Sequence, residues 1–297
     1  MAIPFVREFP FEYGRPDRLS PLVTRVIARN PGPYTFTGSG TYLVGGEAGV
    51  AVIDPGPADE AHTEALLAAA AGPVRAILVT HTHLDHCGGA SALKAATGAP
   101  TYAFGAHPSA KGEGPPALDE GADHGFSPDV ALADGDIVRV PGATLRALHM
   151  PGHIANHLCF ALEEEAALFT GDHLMGWATT VVAPPDGDMA DYMESLEIVL
   201  ERKDRVLYPT HGAPITEPLA FTAAVKAHRQ ARDAAILAAL EEGPASPPEI
   251  VAVVYEGLDP ALRVAAALNV RAHLEAHARA GRVLAPEEPN TGAYRLA

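Results

Sequence analysis

His81-Thr82-His83-Leu84-Asp85-His86 sets four metal-ligand side chains within six positions, directly after the apolar run of residues 74–79 and just ahead of Gly88-Gly89. Side chains two apart on a nearly extended chain point the same way, so His81 and His83 can share one cation. Asp85 and His86 follow the bend and can face a second, neighbouring one. Two metals are plausible from this stretch alone, and a His-rich surface loop is the reading they compete with.

A two-metal site needs further ligands, and three other segments have the same grammar of apolar run, Gly or Pro turn, then one ligand-type side chain. His153 stands in Met150-Pro151-Gly152-His153 after residues 144–149, and Asp172 in Gly171-Asp172-His173 after residues 166–169. His211 stands in Pro209-Thr210-His211-Gly212 after residues 205–208. Singly each is an ordinary turn residue; together they make a ligand set.

The set His81, His83, Asp85, His86, His153, Asp172 and His211 resembles that of the metallo-β-lactamase fold superfamily, in the family's order, over residues from about 20 to 215. The resemblance implies that His81, His83 and His153 hold a first zinc, Asp85, His86 and His211 a second, and that Asp172 bridges them. It extends to Asp54 in Ile53-Asp54-Pro55-Gly56, which in the family supports the site from behind; a β-turn aspartate would read the same way. Diiron oxygen reductases of the superfamily carry Glu where His83 stands, and secreted β-lactamases usually carry Cys at the position of Asp172. Both are disfavoured.

Mixed imidazole and carboxylate ligands suit zinc, with iron or manganese also compatible, and leave net positive charge to polarise water. Two such ions can share a hydroxide at neutral pH and bind the oxyanion formed by its attack, so no protein nucleophile is needed. Asp85 would be the catalytic residue, orienting the hydroxide and exchanging its proton with the leaving group. His157 reads either as a residue supporting the site or facing substrate, or as a structural His. His173 reads as a packing residue turned away from the metals.

The 297 residues, 47 per cent hydrophobic, suffice for one large core and a small extra domain. A net charge of −16 disfavours tight binding of polyanions. Cys87 and Cys159, the only cysteines, suit buried reduced thiols in a cytoplasmic protein. Residues 1–10 have no apolar stretch of signal-peptide length, and no run reaches the length of a membrane span.

The periodicities predict a hairpin over residues 41–44 and 50–53, helices over 58–71 and 90–96, and a strand over 100–104. The resemblance turns these into an α/β fold, an αββα sandwich over residues 1–215. Residues 105–130 are too long and Gly/Pro-rich for an ordinary connection, and read as a loop over the site or as a disordered insertion. Residues 216–297 predict a helix over 218–240, a short one over 247–255, another over 260–280 and a terminal hairpin, which is a winged-helix order. It resembles the C-terminal domain of the branch of small lactamase-like proteins that includes an endoribonuclease acting on single-stranded RNA. Asn30-Pro31-Gly32-Pro33 and Asp191-Tyr192-Met193-Glu194-Ser195-Leu196 also resemble that branch. Gly40, where the branch has Asn, and Thr210, where it has Gly, depart from it.

On the third of these helices, or beside it, Arg263, Arg271, Arg279 and Arg282 with His273 and His277 are balanced by Asp259, Glu275, Glu287 and Glu288. A stripe for phosphate is therefore lacking, and a wing that covers the active site or forms a homodimer contact is favoured. The expected activity is hydrolysis of a small-molecule thioester, ester or lactone, in the manner of the family's hydroxyacylglutathione hydrolases. Cleavage of single-stranded RNA and a mononuclear iron sulfur dioxygenase are the alternatives.

Overall fold

The computed structural model describes residues 2–108 and 121–297. One sheet contains β1 (Asp17–Arg18), β2 (Val23–Ile27), β3 (Gly40–Gly46), β4 (Gly49–Ile53), β5 (Val74–Leu78), β6 (Thr101–Ala103) and β7 (Val130–Ala131), side by side in that order. Its first strands pair antiparallel, and from β4 onward they run parallel. Parallel neighbours need crossovers, which α1 (Glu60–Ala69), α2 (Leu84–Cys87) and α3 (Ala90–Thr97) supply. The second sheet contains β8 (Ile137–Val140), β9 (Ala143–His149), β10 (Leu158–Leu162), β11 (Ala167–Gly171) and β12 (Val206–Pro209), with α4 (Met189–Glu201) crossing between the last two.

Every residue of β4, β10 and β11 is buried, because these strands are covered on both faces. Between the sheets pack Tyr42, Ile53, Leu78, Leu145, Phe160 and Phe169. On the outer face of the first, Leu43, Val52 and Ile77 meet Leu66 of α1 and Leu93 of α3. On the outer face of the second, Cys159, Leu168 and Leu207 meet Tyr192 and Leu196 of α4. Burying one such side chain contributes about 1.5–3 kcal/mol, and the alternation of Val52 with Ile53 and of Ile77 with Leu78 divides each strand between two cores. The layers are helix, sheet, sheet, helix, as expected for an αββα sandwich.

α1 is shorter than its predicted span. It starts at Glu60 because the Asp59 carboxylate accepts from the backbone N–H groups of Ala61 and His62. Cys87 and Cys159 are buried and free.

The chain continues with α5 (Pro218–Glu241), α6 (Pro247–Val254), α7 (Arg263–Arg279), β13 (Val283–Leu284) and β14 (Arg295–Leu296), the last two pairing antiparallel. α5 serves two cores. Phe221 and Val225 pack on the second sheet's helical face, while Ile236 and Leu240 join Ile250, Val270, Leu274 and Tyr294. The segment before α7 is a single 3-10 turn over Pro260–Leu262, so the predicted helix begins late. No helix among the described residues is long and apolar enough to cross a membrane.

Candidate metal centre

The seven ligand-type side chains leave the sequence from four segments that end at one edge of the sandwich. His81 and His83 lie just beyond β5, Asp85 and His86 on α2, His153 beyond β9, Asp172 beyond β11 and His211 beyond β12. Ligand atoms of His81, His83 and His153 converge within 4.8 Å of one another, as do those of Asp85, His86 and His211, and those of His81, His86 and Asp172.

His83 Nδ1 lies 2.9 Å from His81 Nε2 and 3.2 Å from His153 Nε2. One proton cannot satisfy three converging ring nitrogens, whereas a cation can accept all their lone pairs. Asp172 spans the two groups. Its Oδ1 is 3.5 Å from His86 Nε2 and 3.4 Å from His211 Nε2, and its Oδ2 is 3.8 Å from His153 Nε2. His86 Nε2 and Asp172 Oδ1 are buried without a hydrogen-bond partner. Buried polar atoms left this way cost about 1–3 kcal/mol each, and divalent ions would relieve both, so the donor set fits such ions.

The electrostatics say the same. Burial works against charge on His86, but the carboxylates of Asp85, Asp172 and Asp54 outweigh it and hold its pKa well above the ordinary value. His211 is raised through Asp172 and Asp85, again against burial. Burial also opposes ionisation of Asp172, yet His211 and His86 hold its carboxyl well below the usual range. His81 goes the other way, lowered by burial and by the imidazoles of His86, His83 and His153. The carboxylate side of the centre demands positive charge, and His81 on the imidazole side disfavours a proton.

A second layer of contacts fixes these side chains. Asp54, at φ +51°, accepts from Thr80 N at 2.7 Å, Thr80 Oγ1 at 2.8 Å and Thr210 Oγ1 at 2.9 Å, and meets His86 Nδ1 at 2.8 Å. That aspartate holds His86, a candidate ligand, from behind, so it is more than a turn residue. His153 Nδ1 meets Val181 O at 2.7 Å. Ser39 Oγ donates to Asp85 Oδ2 at 3.2 Å, and Asn30 Oδ1 accepts from the Ser39 backbone. His157 is fully buried, and its Nε2 accepts from Asp172 N–H at 3.2 Å, which makes it a support and not a substrate-facing group. His173 lies against Tyr192, ring centroids 5.1 Å apart, and its pKa is pushed down to about 3 by burial.

Ser39, Thr80 and Thr180, whose hydroxyl donates to Asp172 O at 2.5 Å, are residues that sequence patterns do not single out. Thr80 had a visible signal in its place between a strand and the first ligand; a lone Ser or Thr in a turn has none. The two departures from the branch pattern touch each other. Gly40 N–H donates to Thr210 O at 2.7 Å, and a Cβ at Gly40 would lie 3.1 Å from that oxygen. The flanks of the 105–130 segment lie against the metal loop: Asp123 N–H donates to Thr82 O at 2.8 Å, and Thr82 Oγ1 meets His107 Nδ1 at 2.8 Å. The rest of the expected loop, residues 109–120, lies outside the described residues.

A two-sheet sandwich with histidines and aspartates gathered at the strand ends defines a class of protein. The chain belongs to the Metallo-beta-lactamase superfamily, whose family model matches residues 34–211, and a Beta-lactamase associated winged helix domain matches residues 246–288. An atrochrysone carboxyl ACP thioesterase of Aspergillus chevalieri is 37% identical over 228 residues, covering 76% of this chain and 68% of the relative. The Beta-lactamase-like protein 2 homolog of Caenorhabditis elegans is 32% identical over 264 residues, covering 86% and 83%. Among solved structures, a metallo-beta-lactamase family protein from Thermus thermophilus superimposes with a TM-score of 0.76 at 27% identity, covering 94% of this chain and all of that one.

Proposed function

We propose that the protein is a binuclear metal-dependent hydrolase that cleaves a thioester or a chemically similar ester or lactone. The observation that carries this reading is the pair of ligand groups spanned by the two oxygens of Asp172. His81, His83 and His153 would hold one ion, Asp85, His86 and His211 the other, with Asp172 between them. Zinc suits the ligands best, with iron or manganese as substitutes. The ions would supply a hydroxide at neutral pH and Lewis acidity for the developing oxyanion.

The chain's own residues do the positioning. Burial opposes the charge on Asp85, but His86 and His211 keep its carboxyl well below the usual range, so it stays ionised and accepts hydrogen bonds. That suits a residue that orients the attacking water by accepting its hydrogen bond. Ser39 fixes the carboxylate, and Asp54 and Val181 fix the imidazoles of His86 and His153. The resemblance to a named thioesterase supports the acyl substrate. We place the catalytic domain at residues 1–215, the helical and winged part at 216–297, and the protein in the cytoplasm.

RNA cleavage is the weaker reading, because two of the four arginines on or beside α7 are held by partners within the chain. Arg271 Nε pairs with Glu275 at 2.6 Å and its NH1 donates to Asn290 at 3.0 Å, while Arg279 pairs with Asp188. A mononuclear dioxygenase would leave the convergence of Asp85, His86 and His211 without a role. One batch of protein with zinc, assayed against a thioester panel and a labelled RNA oligomer at two salt concentrations, tests the ordering. Thioester turnover abolished by chelation and restored by zinc is expected. RNA cleavage that is metal-dependent, weakens with salt and falls in Arg271→Ala/Arg279→Ala would overturn it.

A further inference from the structure

Residues 180–182 form a short strap between the metal centre and the C-terminal helices. On one side, Thr180 Oγ1 donates to Asp172 O at 2.5 Å and Val181 O faces His153 Nδ1 at 2.7 Å. These are the backbone of one proposed ligand and the ring of another. On the other side, Arg229 of α5 donates through NH2 to Thr180 O, and Val182 N–H donates to Asn269 Oδ1 of α7 at 3.0 Å. Arg229 NH1 also reaches Asn269 Oδ1, at 3.3 Å, and the Asn269 amide donates to Ala265 O at 3.0 Å.

A guanidinium only 2 % exposed is costly to desolvate. Here its acceptors are neutral oxygens: a strap carbonyl and an amide that itself holds the strap. Its plane lies over the ring of Tyr192, 5.2 Å from the centroid, and the Tyr192 hydroxyl donates to His173 O at 2.9 Å, the residue next to Asp172. All of these contacts act on the same few residues.

We propose that Arg229 and Asn269 are positioning residues for the metal centre, setting His153 and Asp172 through residues 180–182, so that the C-terminal helices are a working part of the site. The proposal rests on the reading of His153 and Asp172 as ligands. Partners behind metal ligands typically change metal affinity about 10–100-fold when removed. The affected ions are those that use His153 and Asp172; the Asp85, His86 and His211 group has its own supports in Ser39 and Asp54.

The test is zinc titration of the full chain against a chromophoric chelator, with folding followed by circular dichroism. Two zinc equivalents in the wild-type chain check the ligand reading independently, and failure there is separate from failure of the variants. Asn269→Leu removes the acceptor for both Val182 N–H and Arg229, and should weaken the zinc equivalent that uses His153 about tenfold or more, with any loss at the other equivalent coming through the shared Asp172. Asn269→Asp keeps that oxygen but loses the donor to Ala265 O, and should bind zinc more tightly than Asn269→Leu. Asp233→Asn is the control, because Asp233 ties α5 to α7 through His273 and His277, at 2.9 and 2.8 Å, without touching the strap. It should bind zinc like the wild type. Should Asn269→Leu not fold, Thr180→Val, which removes the hydroxyl that holds Asp172 O, carries the same expectation. Unchanged zinc affinity in a folded strap variant, or an equal loss in Asp233→Asn, would overturn the proposal.

Discussion

Asp54→Asn alters the centre by one atom's chemistry and almost none of its shape. In the wild type the carboxylate meets His86 Nδ1 at 2.8 Å, which keeps a proton on Nδ1 and turns Nε2 towards Asp85 and Asp172, where a bound ion would take the place of its proton. Thr80 N–H and the Thr80 and Thr210 hydroxyls fill the remaining acceptor sites. An asparagine oriented by the Thr80 N–H keeps its oxygen at Oδ1 and turns its NH2 towards His86. The imidazole must then accept at Nδ1 and carry its proton on Nε2, where it cannot ligate. The two hydroxyls can rotate, so the fold survives the change. Loss of such a partner corresponds to about 10–100-fold in metal affinity, or about 1.4–2.8 kcal/mol at 1.4 kcal/mol per tenfold. Chelator competition should show one zinc equivalent weakened by that factor, with thermal unfolding still cooperative. Two equivalents bound at wild-type affinity would refute the tautomer reasoning and the role given to His86.

Asp172→Ala should lose both metal pairing and turnover, whereas His173→Ala should keep the metal stoichiometry and lose stability, because its fully buried ring leaves a cavity worth about 2–4 kcal/mol; metal analysis beside thermal melts separates the two. Gly171→Ala should unfold at lower temperature and bind metal poorly, since at φ +50° its Cβ would lie 2.6 Å from His157 Nε2 and 2.9 Å from Thr80 Oγ1; a wild-type melt would sink that expectation. Asp129 is held down to about 2 by its bond from Lys94 and by Thr101, against an ordinary value of 3.8. A carboxyl depressed in the folded state stabilises it above the unfolded value and loses that effect as pH falls through the folded one. The melting difference between wild type and Asp129→Asn should therefore be full at neutral pH and close as the pH drops from 3.8 towards about 2; a gap independent of pH would contradict it.

The sandwich could be read from sequence because its strands are continuous apolar runs that stop at ligand residues, and local patterns survive in one dimension. The winged-helix order was legible for the same reason, through Gly243-Pro244 and the turn residues before Tyr294. What could not be read was pairing across the chain. Nothing near Arg229 announces that its guanidinium lies buried beside Thr180, and nothing near Asn30 points to Ser39 and, through it, Asp85. The helix ends moved for a local reason that single residues decide, as Asp59 did for α1. The role of His157 is likewise a matter of pairing across the chain, since it rests on the Asp172 backbone N–H donating to its ring.

Gly40 and Thr210 differ from the branch pattern separately in sequence but form one contact in space, since the Gly40 N–H holds the Thr210 carbonyl while the Thr210 hydroxyl holds Asp54. A side chain restored at position 40 crowds the Thr210 carbonyl and the Arg25 side chain, and a glycine restored at 210 takes a donor from the carboxylate behind His86. Two positions far apart in the chain therefore act on the same support behind His86, one through a backbone N–H and the other through a hydroxyl.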